Sequence, residues 1–206
     1  MRAAKGRARV GITVNTIARN VGVLTASPVM ALVTVSLMYL HDAALFGGGA
    51  GWRWVALVFL TALPISAYIL KSIIPSIRVQ GRRGERKLAF IMSVVSYVVG
   101  TLFCLVRKAP RAVSRLFLSY MASGALLAFV NAALKFRASG HACGFAGPLT
   151  YLARFVGPML VLVCAAFVLP IVYWARLRAG RHSLRELVSG TIIGFAATQL
   201  VGLVYV

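Results

Sequence analysis

The apolar residues of this chain fall in blocks roughly 20 residues long, the length at which one helix crosses a hydrocarbon core about 30 Å thick. The blocks run over 21–40, 54–74, 88–106 and 116–134. A stretch over 142–174 then has room for two tightly joined helices broken near Gly157-Pro158, and the last block is 187–206. In lipid, such segments satisfy their backbone groups only as helices. The expectation is an all-α, polytopic transmembrane bundle of six to seven helices. Composition agrees: 60% of residues are hydrophobic and 13% charged, where soluble domains run near half apolar and a quarter charged. A soluble enzyme and a disordered tail are both excluded. No repeat or linker divides the chain, so residues 1–206 read as one integral-membrane domain. A basic segment, 1–20, precedes it, and the chemistry concentrates over 131–200. Residues 1–20 have no long apolar core, which argues against a cleavable signal peptide. Arg2, Lys5, Arg7, Arg9 and Arg19 favour a cytoplasmic N-terminus.

The chain carries 23 Lys+Arg against 3 Asp+Glu, a net charge of +20. With no soluble basic domain to hold it, nucleic acid is not an expected partner. Positive-inside loops account for most of the excess, and the bilayer with its anionic lipids is the implied partner. The acids are Asp42, Glu85 and Glu186. So few carboxylates exclude chemistries that hold Mg²⁺ between several acids, and neither a metal nor another cofactor is expected. Cys104, Cys143 and Cys164 lack CxxC spacing and read as small core residues. Gly140-x-x-x-Gly144 and Gly190-x-x-x-Gly194 have the spacing that lets membrane helices approach closely. They read either as flanks of one site or as ordinary packing. Trp52 and Trp54 read as an interfacial anchor.

Two histidines stand in basic surroundings at helix mouths. One lies in Lys135-Phe-Arg137-Ala-Ser139-Gly140-His141, the other in Arg176-Leu-Arg178-Ala-Gly-Arg181-His182-Ser-Leu-Arg185-Glu186. One helical hairpin separates them, so two crossings return the chain to the same membrane face. Lys135 and Arg176 are suited to neutralising a phosphate. Ser139-Gly140, opening a helix, can turn N–H groups toward it. On a helix, His182 and Glu186 share a face. The carboxylate can then hold the imidazole tautomer and free the other nitrogen as a nucleophile, with His141 as general acid and base. This chemistry is metal-independent phosphoryl transfer through a phosphohistidine. Arg178, Arg181 and Arg185 read as solvated or lipid-facing.

These residues resemble the type 2 phosphatidic acid phosphatase (PAP2) superfamily of integral-membrane lipid phosphatases, whose motifs are KxxxxxxRP, PSGH and SRxxxxxHxxxD. Ala138-Ser139-Gly140-His141 is similar to the second, with Ala for Pro. Ala175-Arg176, then His182 and Glu186, keep the spacing of the third, with Ala for Ser and Glu for Asp. The continuation ELVSGTIIGF looks like the helix that follows that motif. The first motif is absent. Lys71 and Arg78 have its spacing but lie far upstream, and Lys135 directly before the second motif takes its place in a compressed Lys-x-x-x-Ser-Gly-His arrangement. The resemblance covers about 131–200.

It implies hydrolysis of a lipid phosphate or diphosphate, phosphatidate-type or polyprenyl. His182 would be the nucleophile, Glu186 its orienting acid and His141 the general acid/base. Lys135, Arg137, Ser139, Gly140 and Arg176 would hold the phosphate. A lipid phosphotransferase and a catalytically inactive lipid-binding scaffold of the same fold stay open, as does the membrane face. Seven crossings put both motifs on the side of the N-terminus and the basic 71–87 loop, leaving the Arg107–Arg115 link opposite.

Overall fold

A computed structural model describes residues 14–205, the side chains at 82 and 83 excepted. The basic residues Arg2, Lys5, Arg7 and Arg9 thus lie outside the described residues. Every regular element described is helical. Helix α1, Val14–Leu24, meets α2, Ser27–His41, at a bend of 54°. Sequence periodicity reads 21–40 as one block. The break comes at Ala26, whose extended backbone (ψ 146°) precedes Ser27-Pro28 in the first turn of α2. Proline lacks the N–H that a continuous helix needs and pushes its predecessors out of helical geometry. Asp42 then caps a short 3-10 turn, accepting from the Ala44 N–H at 2.8 Å.

Helix α3 spans Gly51–Ile73 and carries one π turn at Val58–Ala62, just ahead of Pro64. Helix α4 is Gly81–Val106, α5 Arg111–Ala132, α6 Gly140–Val156, α7 Pro158–Arg178 and α8 Leu184–Val204. The break expected near Gly157-Pro158 falls between α6 and α7, where Gly157 takes φ 96°, a left-handed conformation suited to glycine. The basic 71–87 segment is not a loop. It forms a single helical turn, Pro75–Val79, and the first turns of α4. A Lys71–Glu85 ion pair at 2.9 Å ties the end of α3 to that start, and Arg78, Arg86 and Lys87 are exposed while their helices continue.

Among the described residues five helices are long and apolar enough to cross a membrane, six if the bent α1–α2 pair is one span. The chain therefore fits a multi-pass membrane protein at the low end of the expected count. Helix α6 is not among them: its 17 residues reach about 25 Å at 1.5 Å per residue, the short end of a membrane-spanning length, and it runs from the histidine end of the bundle to the far end, so that α6 and α7 form the hairpin. It is nonetheless the centre of the bundle, packed by α2, α5, α7 and α8.

Glycine sets that packing. A side chain at Gly190 or Gly194 of α8 would collide with the carbonyls of Ser139 and Cys143, and one at Gly144 would collide with Ser27 of α2. Both glycine motifs thus serve close helix approach, and that approach is what brings the two histidine segments together. Helices α6 and α8 run parallel, with α7 returning between them on the outside. Met159, Leu162 and Phe167 of α7 point outward. So does Cys164, which is exposed rather than in the core; Cys104 and Cys143 are buried as expected. The larger apolar core, with Met38, Phe46, Leu60, Phe117 and Tyr151, fills the end of the bundle away from the histidines.

Candidate functional site

The start of α8 builds one half of the site. Ser183 is the N-cap: its Oγ accepts from the Glu186 N–H, and Glu186 Oε2 accepts from the Ser183 N–H, each at 3.3 Å. This reciprocal capping box satisfies donors that the helix start leaves unpaired. His182 precedes the cap, so it lies outside the helix and does not share a helical face with Glu186. The carboxylate reaches it because the box folds Glu186 back over the helix end. His182 Nδ1–H donates to Glu186 Oε2 at 2.8 Å. That bond fixes the tautomer and leaves the Nε2 lone pair free. Burial holds the His182 imidazole below its ordinary 6.5. The Glu186 hydrogen bond pulls it back up, and the charges of Arg176 and Arg137 push it down. At neutral pH it is uncharged.

The start of α6 builds the other half. Ser139 is fully buried and caps this helix, its Oγ accepting from the Ala142 N–H at 3.3 Å. Its own N–H donates to the Glu186 carbonyl at 2.8 Å, which locks the two helix starts side by side. Ser139 is thus a frame for the site. The N–H groups of Gly140 and His141, next along, have no acceptor among the described residues and carry the positive end of the helix dipole.

His141 Nε2 lies 2.8 Å from Thr25 Oγ. The Thr25 hydroxyl spends its single hydrogen on the Val21 carbonyl, 2.7 Å away. It must therefore accept from His141, which places the His141 proton on Nε2 and leaves Nδ1 open. Thr25 is a site residue that sequence reasoning missed. It is 116 positions from its partner, and no local pattern marks it. Ser183 was also missed, although Ser-x-x-Glu at a helix start is a readable signal.

Arg176, in the last turn of α7, stands within electrostatic reach of both histidines. Its Nε is buried and has no hydrogen-bond partner among the described residues. The guanidinium lies against Gly22 of α1, where a Cβ would sit 2.8 Å from Nη1. Arg137 is more exposed and approaches Glu186 Oε1 at 3.9 Å. Arg181, read from the sequence as solvated, also faces this cluster and acts on His141. Lys135 stands apart. It is exposed in the α5–α6 link with φ 51° and makes no hydrogen bond or ion pair among the described residues.

The structure therefore brings together His141, His182, Glu186, Arg137, Ser139, Gly140 and Arg176, and shows no hydrogen bond or ion pair of Lys135 with them among the described residues. Among the described residues no three His, Cys, Asp or Glu side chains converge as a metal site would require. A cavity of about 240 Å³ opens beside Gly140 and His141 and descends between α2, α3, α4, α5 and α6 as far as Tyr151. Chemically, the site offers a carboxylate-held imidazole with a free nitrogen, a second imidazole, and a half-buried guanidinium that forms no ion pair among the described residues. Comparison with protein-family models, curated proteins and solved structures finds no match to this chain.

Proposed function

We propose that this protein is a metal-independent phosphatase of membrane lipid phosphates or diphosphates, of the type 2 phosphatidic acid phosphatase kind, working through a phosphohistidine at His182. One observation carries the reading. The half-buried Arg176 guanidinium, its Nε buried and unpaired among the described residues, sits beside an imidazole whose Nδ1 is tied to Glu186. A buried N–H without an acceptor is costly, and a phosphate anion is an acceptor that fits both the charge and the nucleophile.

In this mechanism Arg176 and the free N–H groups at the start of α6 hold the equatorial phosphate oxygens, with Arg137 at the rim. His182 Nε2 attacks phosphorus, the P–O bond to the lipid breaks, and His141 gives a proton to the leaving oxygen. Without substrate, burial and the charges of Arg176, His182 and Arg181 hold His141 down to about 3; the substrate's negative charge acts against them, toward the protonated form that this step needs. Water then attacks the phosphohistidine and passes a proton to His141, the N–P bond breaks, and phosphate leaves. Glu186 keeps the His182 proton on Nδ1 throughout. Lys71, Arg86 and Lys87 lie at the same end of the bundle, so the positive-inside tendency sets this chemistry at the cytoplasmic leaflet. Lys135 standing apart favours a second reading, a lipid-phosphate-binding protein without turnover.

The test is inorganic phosphate release by purified protein in detergent with EDTA, from phosphatidate and from polyprenyl phosphate and diphosphate. The proposal expects release that the chelator leaves intact and His182→Ala abolishes. Release by the variant within a few-fold of wild type would overturn it, and folded wild-type protein that releases none would favour the second reading.

A further inference from the structure

The cavity beside His141 has mainly apolar walls, including Pro64, Phe90, Leu116 and Leu127, yet several hydroxyls line it. Most are satisfied within the protein. Ser119 Oγ donates to the Arg115 carbonyl at 2.8 Å, and Tyr97 pairs with Ser27 at 3.3 Å. Two are not. The hydroxyls of Tyr120 and Ser123, residues only 5% and 9% exposed, make no hydrogen bond of ordinary geometry among the described residues; beside Ser123 lies only the weakly bonding thiol of Cys143. Both belong to α5, three positions apart, and both line the cavity.

Their depth is set by α6. The Cys143 thiol lies 3.9 Å from the Ser123 carbonyl, two residues beyond His141, so Ser123 stands within about one turn of the histidine. Tyr120 is roughly 4.5 Å farther along its helix, at 1.5 Å per residue. In a bilayer core, buried O–H donors without acceptors are expensive. The chemistry of the ligand decides whether these two are satisfied. The chain of a polyprenyl phosphate presents only hydrocarbon beyond its phosphate. A glycerol ester presents two carbonyl acceptors a few bonds from phosphorus.

We infer that Tyr120 and Ser123 form an ester-recognition site in the membrane core, each donating to a fatty-acyl carbonyl. They thereby select O-acyl lipids over ether and prenyl lipids. The inference rests on the phosphatase reading for its role in catalysis, but the cavity can be tested without it.

The kinetic arm compares diacyl phosphatidate, its dialkyl ether analogue and a polyprenyl phosphate, with wild type and the conservative Tyr120→Phe. The ether analogue differs from the diester only by the missing carbonyls. Wild type should prefer the diester. Tyr120→Phe should lower kcat/KM for the diester about fivefold, as expected for one neutral hydrogen bond, and leave the ether and prenyl substrates unchanged. Equal rates on ester and ether, a preference for the prenyl substrate, or an equal loss on all three would overturn the assignment. The binding arm uses diacylglycerol and dialkylglycerol, which carry no phosphate, and reads the shift in thermal unfolding of wild type and of Ser123→Ala. A larger shift with the diester that Ser123→Ala removes supports the site even if no phosphate is released. Equal shifts with both lipids refute it even if the phosphatase reading stands.

Discussion

Shortening Glu186 by one methylene is the most informative single change at this site. Glu186 Oε2 serves two donors, His182 Nδ1 at 2.8 Å and the Ser183 N–H at 3.3 Å. Glu186→Asp withdraws the carboxylate by one C–C bond, about 1.5 Å. That opens both contacts toward ~4 Å, beyond hydrogen-bond range. The side chain can lean toward one donor but no longer spans both. Losing a hydrogen bond to a charged group costs ~2 kcal/mol, and the His182 tautomer is set by this bond alone. If the cost falls on the transition state, kcat drops roughly thirtyfold. KM changes little, because the phosphate contacts of Arg176 and the α6 start are untouched. Aspartate still favours a helix N-terminus, so folding should change by less than about 1 kcal/mol. Steady-state phosphate release gives kcat and KM, and thermal unfolding in detergent checks the fold. A variant that turns over as fast as wild type, or faster, would refute the reasoning: the reach of glutamate would then not be what positions His182.

Other predictions follow from the same geometry. Gly190→Ala drives a methyl group into the Ser139 carbonyl. It should cost ~1–3 kcal/mol by overpacking and reduce activity with it, read as a lower Tm beside kcat; an unchanged Tm would mean α8 does not need this approach. The acid limb of kcat/KM should fall below pH 6.5, since burial and the nearby arginines hold His182 under its ordinary value. The same depression has a stability consequence. Below pH 6.5 the unfolded chain binds a proton that folded His182 refuses, so this group's contribution is complete above that pH and declines as the pH falls beneath it. A His182→Gln variant should lose that dependence.

Much of the arrangement is legible in the residue order because it is local. One hairpin between Ser139-Gly140-His141 and His182-x-x-x-Glu186 is enough to bring both to one face, and Gly157-Pro158 marks the turn of that hairpin by its own backbone chemistry. The illegible parts depend on tertiary contacts or on competition between local rules. Thr25 reaches His141 only because the Ser27-Pro28 start bends α1 away from α2, and a single apolar block hides that bend. His182 and Glu186 have helical spacing, but Ser183 wins as N-cap and ends the helix between them. Lys135 sits beside the motif in sequence, yet α5 stops at Ala132 and leaves it exposed and unpaired in the link, among the described residues. Residues 71–87 read as a loop by charge, although arginine and lysine are good helix formers and their stems suit a helix at a membrane surface. Cys164 has core composition around it but lies on the outer helix, where lipid takes the place of core.

The most direct test of the central claim is to trap the covalent intermediate. Protein rapidly quenched in alkali during turnover of a labelled lipid phosphate, with EDTA present, should carry an acid-labile, alkali-stable phosphoryl group on the peptide containing His182. His141→Ala should accumulate it where the loss slows hydrolysis more than formation, and His182→Ala should carry none. Turnover with no label on His182 at any quench time, or label that survives His182→Ala, would contradict the account.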